Sequence, residues 1–269
     1  MTQYAEAVGT QIAYDSSGDG PDLVFLHAGI ADRTMWQPQI DALADRYRCT
    51  TFDSRGRGGS ALGDEPFSQR DDVAAVMDAV GASAATLVGC SIGAGLALDF
   101  AIEYPQRVEK LVLIGVTPNG FDHEDPTVDD LDAQTEAAVD AGDFDNAANI
   151  EVRLWVDGPG RPEGAAPAWL RDKVKEWCLP NYAITDWGQP ARLDPPAFER
   201  LDELAVPTLV LVGVHDAEYV LAGCRATADG IPTAHLVELD GTAHLPNLEV
   251  ADEFNTVLAG FLTGLPRED

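Results

Sequence analysis

The sequence predicts an α/β fold: a mostly parallel central sheet with helices on both faces and one helical insertion. Three observations predict it. Short β-branched and apolar runs alternate with helix-period stretches in the first and last parts of the chain. Those runs are continuously apolar, as in strands buried on both faces. The alternation then stops from about 117 to 196, where the sequence turns polar and helical. At 269 residues the chain has room for one core with such an insertion.

Taken in order, Tyr4 to Val8 and Gln11 to Tyr14 read as a hairpin turning at Gly9. The turn signal GDGP precedes a buried strand at Asp22 to His27. Met35, Ile40 and Leu43 give Thr34 to Arg46 an amphipathic helical period. A strand over Arg48 to Asp53 runs into the glycine-rich turn SRGRGGS, and a helix over Gln69 to Val80 stops at Gly81. Strand, helix and strand follow at Ala85 to Cys90, Ser91 to Glu103 and Val108 to Val116. The insertion carries Trp155, Trp169, Trp177 and Trp187 and ends in prolines at 190, 195 and 196. A strand at Val206 to Val214, a helix after Asp216, a strand from His235 to Leu239 and a closing helix from Leu248 to Leu262 complete the chain. The domain reading is a core of 1–116 and 197–269 with a helical lid of 117–196 over the strand ends.

Forty-six acidic residues against seventeen basic ones give a net charge of −29. Such a polyanion repels nucleic acid and anionic lipid, so neither is an expected partner. Three lysines among the basic residues suit either a salty cytoplasm or an acidic proteome. The opening MTQYAEAVGT has neither a basic nor an apolar signal region, and no apolar run spans a membrane, so a cytoplasmic location is expected. Cys49, Cys90, Cys178 and Cys224 are scattered without a CxxC pair and read as free buried thiols. There is no Cys/His cluster, so no metal site is expected.

The sharpest motif is Gly89-Cys90-Ser91-Ile92-Gly93, set between a strand and a helix. A strand that runs straight into a helix needs a tight turn. Glycines on either side of the serine remove clashing side chains, and its hydroxyl projects from the sheet. The helix N-terminus below favours negative charge. Cys90 precedes the apex and should point into the sheet. A serine needs a base, and the base an orienting acid. His244 follows the last strand and Asp216 follows the one before it, both on the edge where Ser91 sits. Asp240 competes for the acid, but Asp216 holds the position after the preceding strand.

LVFLHAG after GDGP, DSRGRGGS after a strand, GCSIG, GVHD and GTAHLPNLE appear in that order over nearly the whole chain. On these motifs the sequence resembles the α/β-hydrolase family, in its small lidded esterase, lactonase and cofactor-free haloperoxidase form. The resemblance implies the order Ser91, Asp216, His244 for a catalytic triad. It also implies backbone N–H groups of Gly29 and Ile92 as an oxyanion hole. His27 matches the histidine of the family's HG turn, with Ala28 standing where glycine is usual. No cofactor is implied.

The remaining candidates have structural readings. His123 reads as solvated, His235 as a surface strand residue, and His215 as too near Asp216 to face it. Asp53 and Arg55 read as packing of their turn. Trp36 is a candidate pocket residue that competes with a place in the core. Arg153, Arg161 and Arg192 are candidate contacts for an anionic substrate. The expected function is hydrolysis of a small carboxylic ester or lactone. The alternatives are an enol-lactone or C–C bond hydrolase of aromatic catabolism, a perhydrolase, or a ligand-binding receptor without turnover.

Overall fold

A computed structural model describes residues 2–264. The strands are β1 (Gln3–Ala7), β2 (Thr10–Ser17), β3 (Asp22–Leu26), β4 (Arg48–Phe52), β5 (Ala85–Cys90), β6 (Val108–Ile114), β7 (Thr208–Gly213) and β8 (Ala234–Leu239). They form one sheet in the order β1-β2-β4-β3-β5-β6-β7-β8. β2 pairs antiparallel with β1 and with β4; every other pairing is parallel. β5 and β7 are buried at every position, which is why their sequences are continuously apolar.

Side chains leave each strand to alternate faces and meet two helical layers. On one face Val24, Leu26, Leu87, Leu111, Leu113, Val210 and Val212 pack with α2 (Gln69–Ala79), α3 (Ile92–Glu103) and α7 (Glu218–Gly230). On the other, Leu23, Phe25, Val88, Val112, Ile114 and Leu211 pack with α1 (Gln37–Leu43) and α9 (Ala251–Thr263). Burial of these apolar side chains, at about 1.5–3 kcal/mol each, is the main force holding the layers together.

Two elements depart from expectation. The helix expected from Thr34 opens as a 3₁₀ turn over Arg33–Trp36 and becomes α1 only at Gln37. Asp32 caps the 3₁₀ turn through Thr34 N–H, and Pro38 starts the α-helix afresh. The closing helix is two pieces, α8 (Pro246–Glu249) and α9, divided at Val250. The break frees Glu249 to accept from Ala243 N–H at 2.8 Å and to pair with Arg161 at 2.9 Å, so this carboxylate ties down the loop before α8.

Among the described residues, none between β6 and β7 forms a strand. This stretch carries α4 (Pro126–Asp140), α5 (Phe144–Glu151) and α6 (Ala168–Cys178). α5 runs directly into a π-helical turn over Val152–Asp157, a rare geometry that concentrates at functional sites. The insertion meets the core at the C-terminal ends of the strands, with Trp155 on His244, Trp177 on Thr34 and Trp187 on Arg57. Among the described residues no helix is long and apolar enough to cross a membrane.

Candidate active site

β5 gives way to α3 with a single residue between them, Ser91. Its φ of 56° and ψ of −121° make it the one non-glycine residue with positive φ among those described. Such backbone costs about 1–3 kcal/mol and persists only when its surroundings enforce it. Here the flanking glycines do so. A Cβ on Gly93 would sit 2.4 Å from the Leu26 carbonyl oxygen, and one on Gly89 would sit 2.4 Å from that of Gly93. Ser91 N–H donates to the Ile114 carbonyl at 2.8 Å, and the Ser91 carbonyl accepts from Gly95 N–H at 3.0 Å. The serine therefore stands at the head of α3, where the helix dipole favours negative charge.

His244 and Asp216 lie together on the same edge. His244 Nδ1 is 2.7 Å from Asp216 Oδ2, and both residues are buried. The carboxylate accepts from Nδ1–H, which leaves Nε2 as the imidazole's acceptor. His244 N–H donates to the Trp155 carbonyl at 3.2 Å, and the Trp155 indole lies 4.7 Å from the imidazole. Gly115 also lies against the ring: a Cβ there would be 3.0 Å from His244 Cε1. Because Ser91 is bonded to Ile114 and the imidazole rests on Gly115, serine and histidine flank one stretch of backbone. No hydrogen bond joins Ser91 Oγ to His244 among the described residues.

Gly29 approaches from the loop after β3. A Cβ there would be 3.5 Å from Ile92 Cδ1, so the loop and the head of α3 are in contact. His27 holds this loop. Its Nδ1 donates to the Ala28 carbonyl at 2.8 Å, and its Nε2 accepts from Ser54 N–H at 2.9 Å. Burial lowers its pKa, which keeps the ring neutral in that arrangement. Ala28 fits in place of glycine because its methyl is buried and its N–H reaches Met35 Sδ at 3.3 Å.

Trp36 is a correction. It does not line a pocket: it is 0% exposed, against Phe25 at a ring distance of 5.2 Å, so no water-sized space touches it. The 3₁₀ turn before α1 directs its indole into the core. Arg153 and Arg192 are exposed, and Arg161 braces Glu249 and the Gly241 carbonyl. His123, His215, His235 and Asp240 are exposed as well. Asp53 pairs with Arg33, and Arg55 makes two 2.7 Å bonds to Asp72. All four cysteines are free and buried; burial pushes the Cys90 thiol far up, and its Sγ contacts the His244 carbonyl at 3.7 Å.

Several neighbours of this site carry no motif in the sequence. Glu151, at the end of α5, is within charge range of His244, Arg57 and Asp132, and burial pushes its carboxyl up to about 7. Arg57 lies under the insertion with its guanidinium carbon 4.7 Å from the Trp187 ring centre. The second arginine of SRGRGGS is the one signal that could have drawn notice to it.

The family model for the alpha/beta hydrolase fold matches residues 21–250. Among curated relatives, the "Putative carbamate hydrolase RutD" of Azorhizobium caulinodans is 28% identical, over 96% of this chain and 97% of its own. The pimeloyl-[acyl-carrier protein] methyl ester esterase of Nitrosomonas europaea is 25% identical, over 90% of this chain and 96% of its own. Among solved structures, Est816, described as an N-acyl homoserine lactone degrading enzyme, superposes with a TM-score of 0.74. It is 26% identical, and the match covers 96% of this chain and 100% of that one.

Proposed function

This chain belongs to the alpha/beta hydrolase fold family, and on that premise we propose that it is an ester-acting hydrolase that cleaves a small carboxylic ester or lactone through an acyl-enzyme. Ser91 Oγ attacks the carbonyl carbon as His244 Nε2 takes its proton. Asp216 holds the imidazole in the Nδ1–H form and supports the imidazolium that develops. The N–H groups of Gly29 and Ile92 receive the oxyanion, each contributing about 3 kcal/mol in comparable sites. The imidazolium protonates the departing alkoxide. Water then attacks the acyl carbon, His244 takes a proton from it, and the acid leaves with Ser91 restored.

The observation that carries this reading is the strained Ser91 backbone on the same sheet edge as the 2.7 Å Asp216–His244 pair. Cys90 is unsuited to the nucleophile's part, since it is fully buried and its thiol is held protonated. The named activities of relatives on a methyl ester and of a similar structure on a lactone agree with acyl transfer from oxygen. In this reading 1–116 and 197–269 form the catalytic core. Residues 117–196 form a lid whose Trp155 closes over His244.

Ser91→Ala tests the proposal. The variant should keep the wild-type circular dichroism and melting temperature but lose turnover of a short p-nitrophenyl ester and labelling by a fluorophosphonate. Substantial turnover by folded Ser91→Ala would overturn it.

A further inference from the structure

Arg161 divides its guanidinium between two segments that both meet His244. On the insertion, its Nε donates to the Asp157 carbonyl and its Nη2 to the Val156 carbonyl at 2.9 Å. The π-helical turn that carries Trp155 stops at Gly158, so carbonyls at its end need donors from elsewhere. On the core, Nη1 donates to the Gly241 carbonyl at 2.7 Å, and Nη2 pairs with Glu249 Oε2 at 2.9 Å. Glu249 carries the hold one step further. Its Oε1 accepts at 2.8 Å from the N–H of Ala243, the residue before His244. The Arg161 and Glu249 side chains are 12% and 4% exposed, so this pair is withdrawn from water, unlike an ordinary surface pair.

The loop that presents Arg161 is itself fixed. Asp157 is fully buried, and its carboxylate accepts from Gly164 N–H at 2.9 Å and from Ala166 N–H at 3.1 Å. Arg161 N–H donates to the Gly158 carbonyl at 3.1 Å. Gly158, with φ of 85°, runs so close to the loop of Asp216 that a Cβ there would lie 2.3 Å from the His215 carbonyl oxygen. The histidine loop rests on the same stretch: His215 N–H donates to the Thr242 carbonyl at 2.9 Å. His244 meets the insertion through Trp155, whose carbonyl accepts from its backbone N–H at 3.2 Å and whose ring centre is 4.7 Å from the imidazole's.

We propose, resting on the acyl-transfer reading above, that Arg161 is a positioning residue for the base: it joins the turn of Trp155 to the loop of His244 and so keeps the imidazole oriented to take the Ser91 proton. Asp216 fixes the ring only at Nδ1, through the 2.7 Å bond. A ring held at one atom can still rock about it, so the rest of its orientation must come from the loop that carries it. Misplacement by about 1 Å can cost about a hundredfold in rate. Arg161 donates to protein carbonyls and to Glu249, so its loss falls on the chemical step rather than on substrate affinity. The insertion thereby supports the base as well as covering it.

The experiment follows two quantities in the full chain: kcat and KM on a short p-nitrophenyl ester, and the downfield proton resonance of His244 Nδ1–H on Asp216. The resonance reports ring geometry without any turnover. Arg161→Gln should lower kcat by about tenfold to a hundredfold, leave KM nearly unchanged, and shift or broaden the resonance. Arg161→Lys should recover only part, because an ammonium cannot fork across both segments. Glu249→Gln cuts the same link at its other end and should reproduce the kcat loss, and the double variant should be little worse than Arg161→Gln alone. Arg48→Gln controls for stability: it breaks a pair with Asp22 at the starting ends of β3 and β4 and should leave both readouts as in wild type. If Arg161→Gln does not fold, Arg161→Lys and Glu249→Gln decide by the same two readouts. An unchanged kcat and resonance, a loss confined to KM, additive losses in the double variant, or the same effect in Arg48→Gln would overturn the positioning role. Fluorophosphonate labelling of the wild type at Ser91 reads the underlying reaction separately; its absence together with no ester turnover would sink the acyl-transfer reading itself.

Discussion

Glu151 shows how far one residue's chemistry depends on its surroundings. Within charge range of it are Asp132 from α4, Arg57 from the loop after β4, His244 from the loop after β8, Cys178 at the end of α6, and Tyr182 and Tyr219. Desolvation and Asp132 favour its neutral form; Trp155, Arg57 and His244 favour the charged one, and burial prevails. Its folded pKa of about 7 stands above its ordinary value of 4.5. The stability held by the protonated form is therefore complete below pH 4.5 and is lost as pH rises to about 7. The full loss is about 3 kcal/mol. Glu151→Gln should thus melt higher than wild type at pH 8, and this gain should vanish near pH 4.5. Thermal melts of both proteins at the two pH values check it; an equal difference at both would count against a buried, reluctant carboxyl.

The elements that shape the site do so by close approach of backbones. α3 comes so near β3 that position 93 admits no side chain, whereas a Cβ at Gly95, two residues further along the helix, meets only the Thr117 carbonyl at 3.8 Å. Gly93→Ala should therefore cost about 3 kcal/mol or more, because the methyl must displace the Leu26 and His27 carbonyls. Gly95→Ala should match wild type or gain up to about 1 kcal/mol, since its methyl makes only an ordinary van der Waals contact and alanine favours the helix. Denaturant titration of the pair distinguishes a steric requirement at one residue from a general intolerance of the helix. The π-helical turn after α5 works in the same way. It turns the chain so that the Trp155 carbonyl and indole both meet His244. A regular continuation of the helix would rotate them away.

Over the whole molecule, charge and packing act on different scales. The two apolar layers hold the sheet, while −29 is spread over a surface with few cations to balance it. Several ion pairs, such as Arg107–Asp78 and Arg200–Glu203, have one partner largely in water and contribute little. Net self-repulsion of this kind weakens a compact state and is relieved by screening. Raising NaCl from about 0.05 M to about 1 M, which shortens the screening length severalfold, should raise the melting temperature. A flat or falling melting temperature would mean that local ion pairs outweigh the net charge.

The strand and helix order, the strand ends and the strained serine turn were legible because their signals are local. Apolar runs, glycines at fixed offsets and the residue just after a strand all declare themselves within a few positions. A parallel sheet then brings the ends of β5, β7 and β8 to one edge, so Ser91, Asp216 and His244 could be grouped before any coordinates. Trp36 was not decidable in this way, since helical period marks an apolar face without saying whether core or pocket lies against it. Arg55 and Arg57 make the same point more sharply. They are the same residue type, two positions apart in one turn, yet one meets Asp72 from α2 and the other lies beneath Trp187 with a nitrogen unpaired among the described residues. Their partners come from distant parts of the chain, and only tertiary packing settles which charge is neutralised and which is left to act on something else.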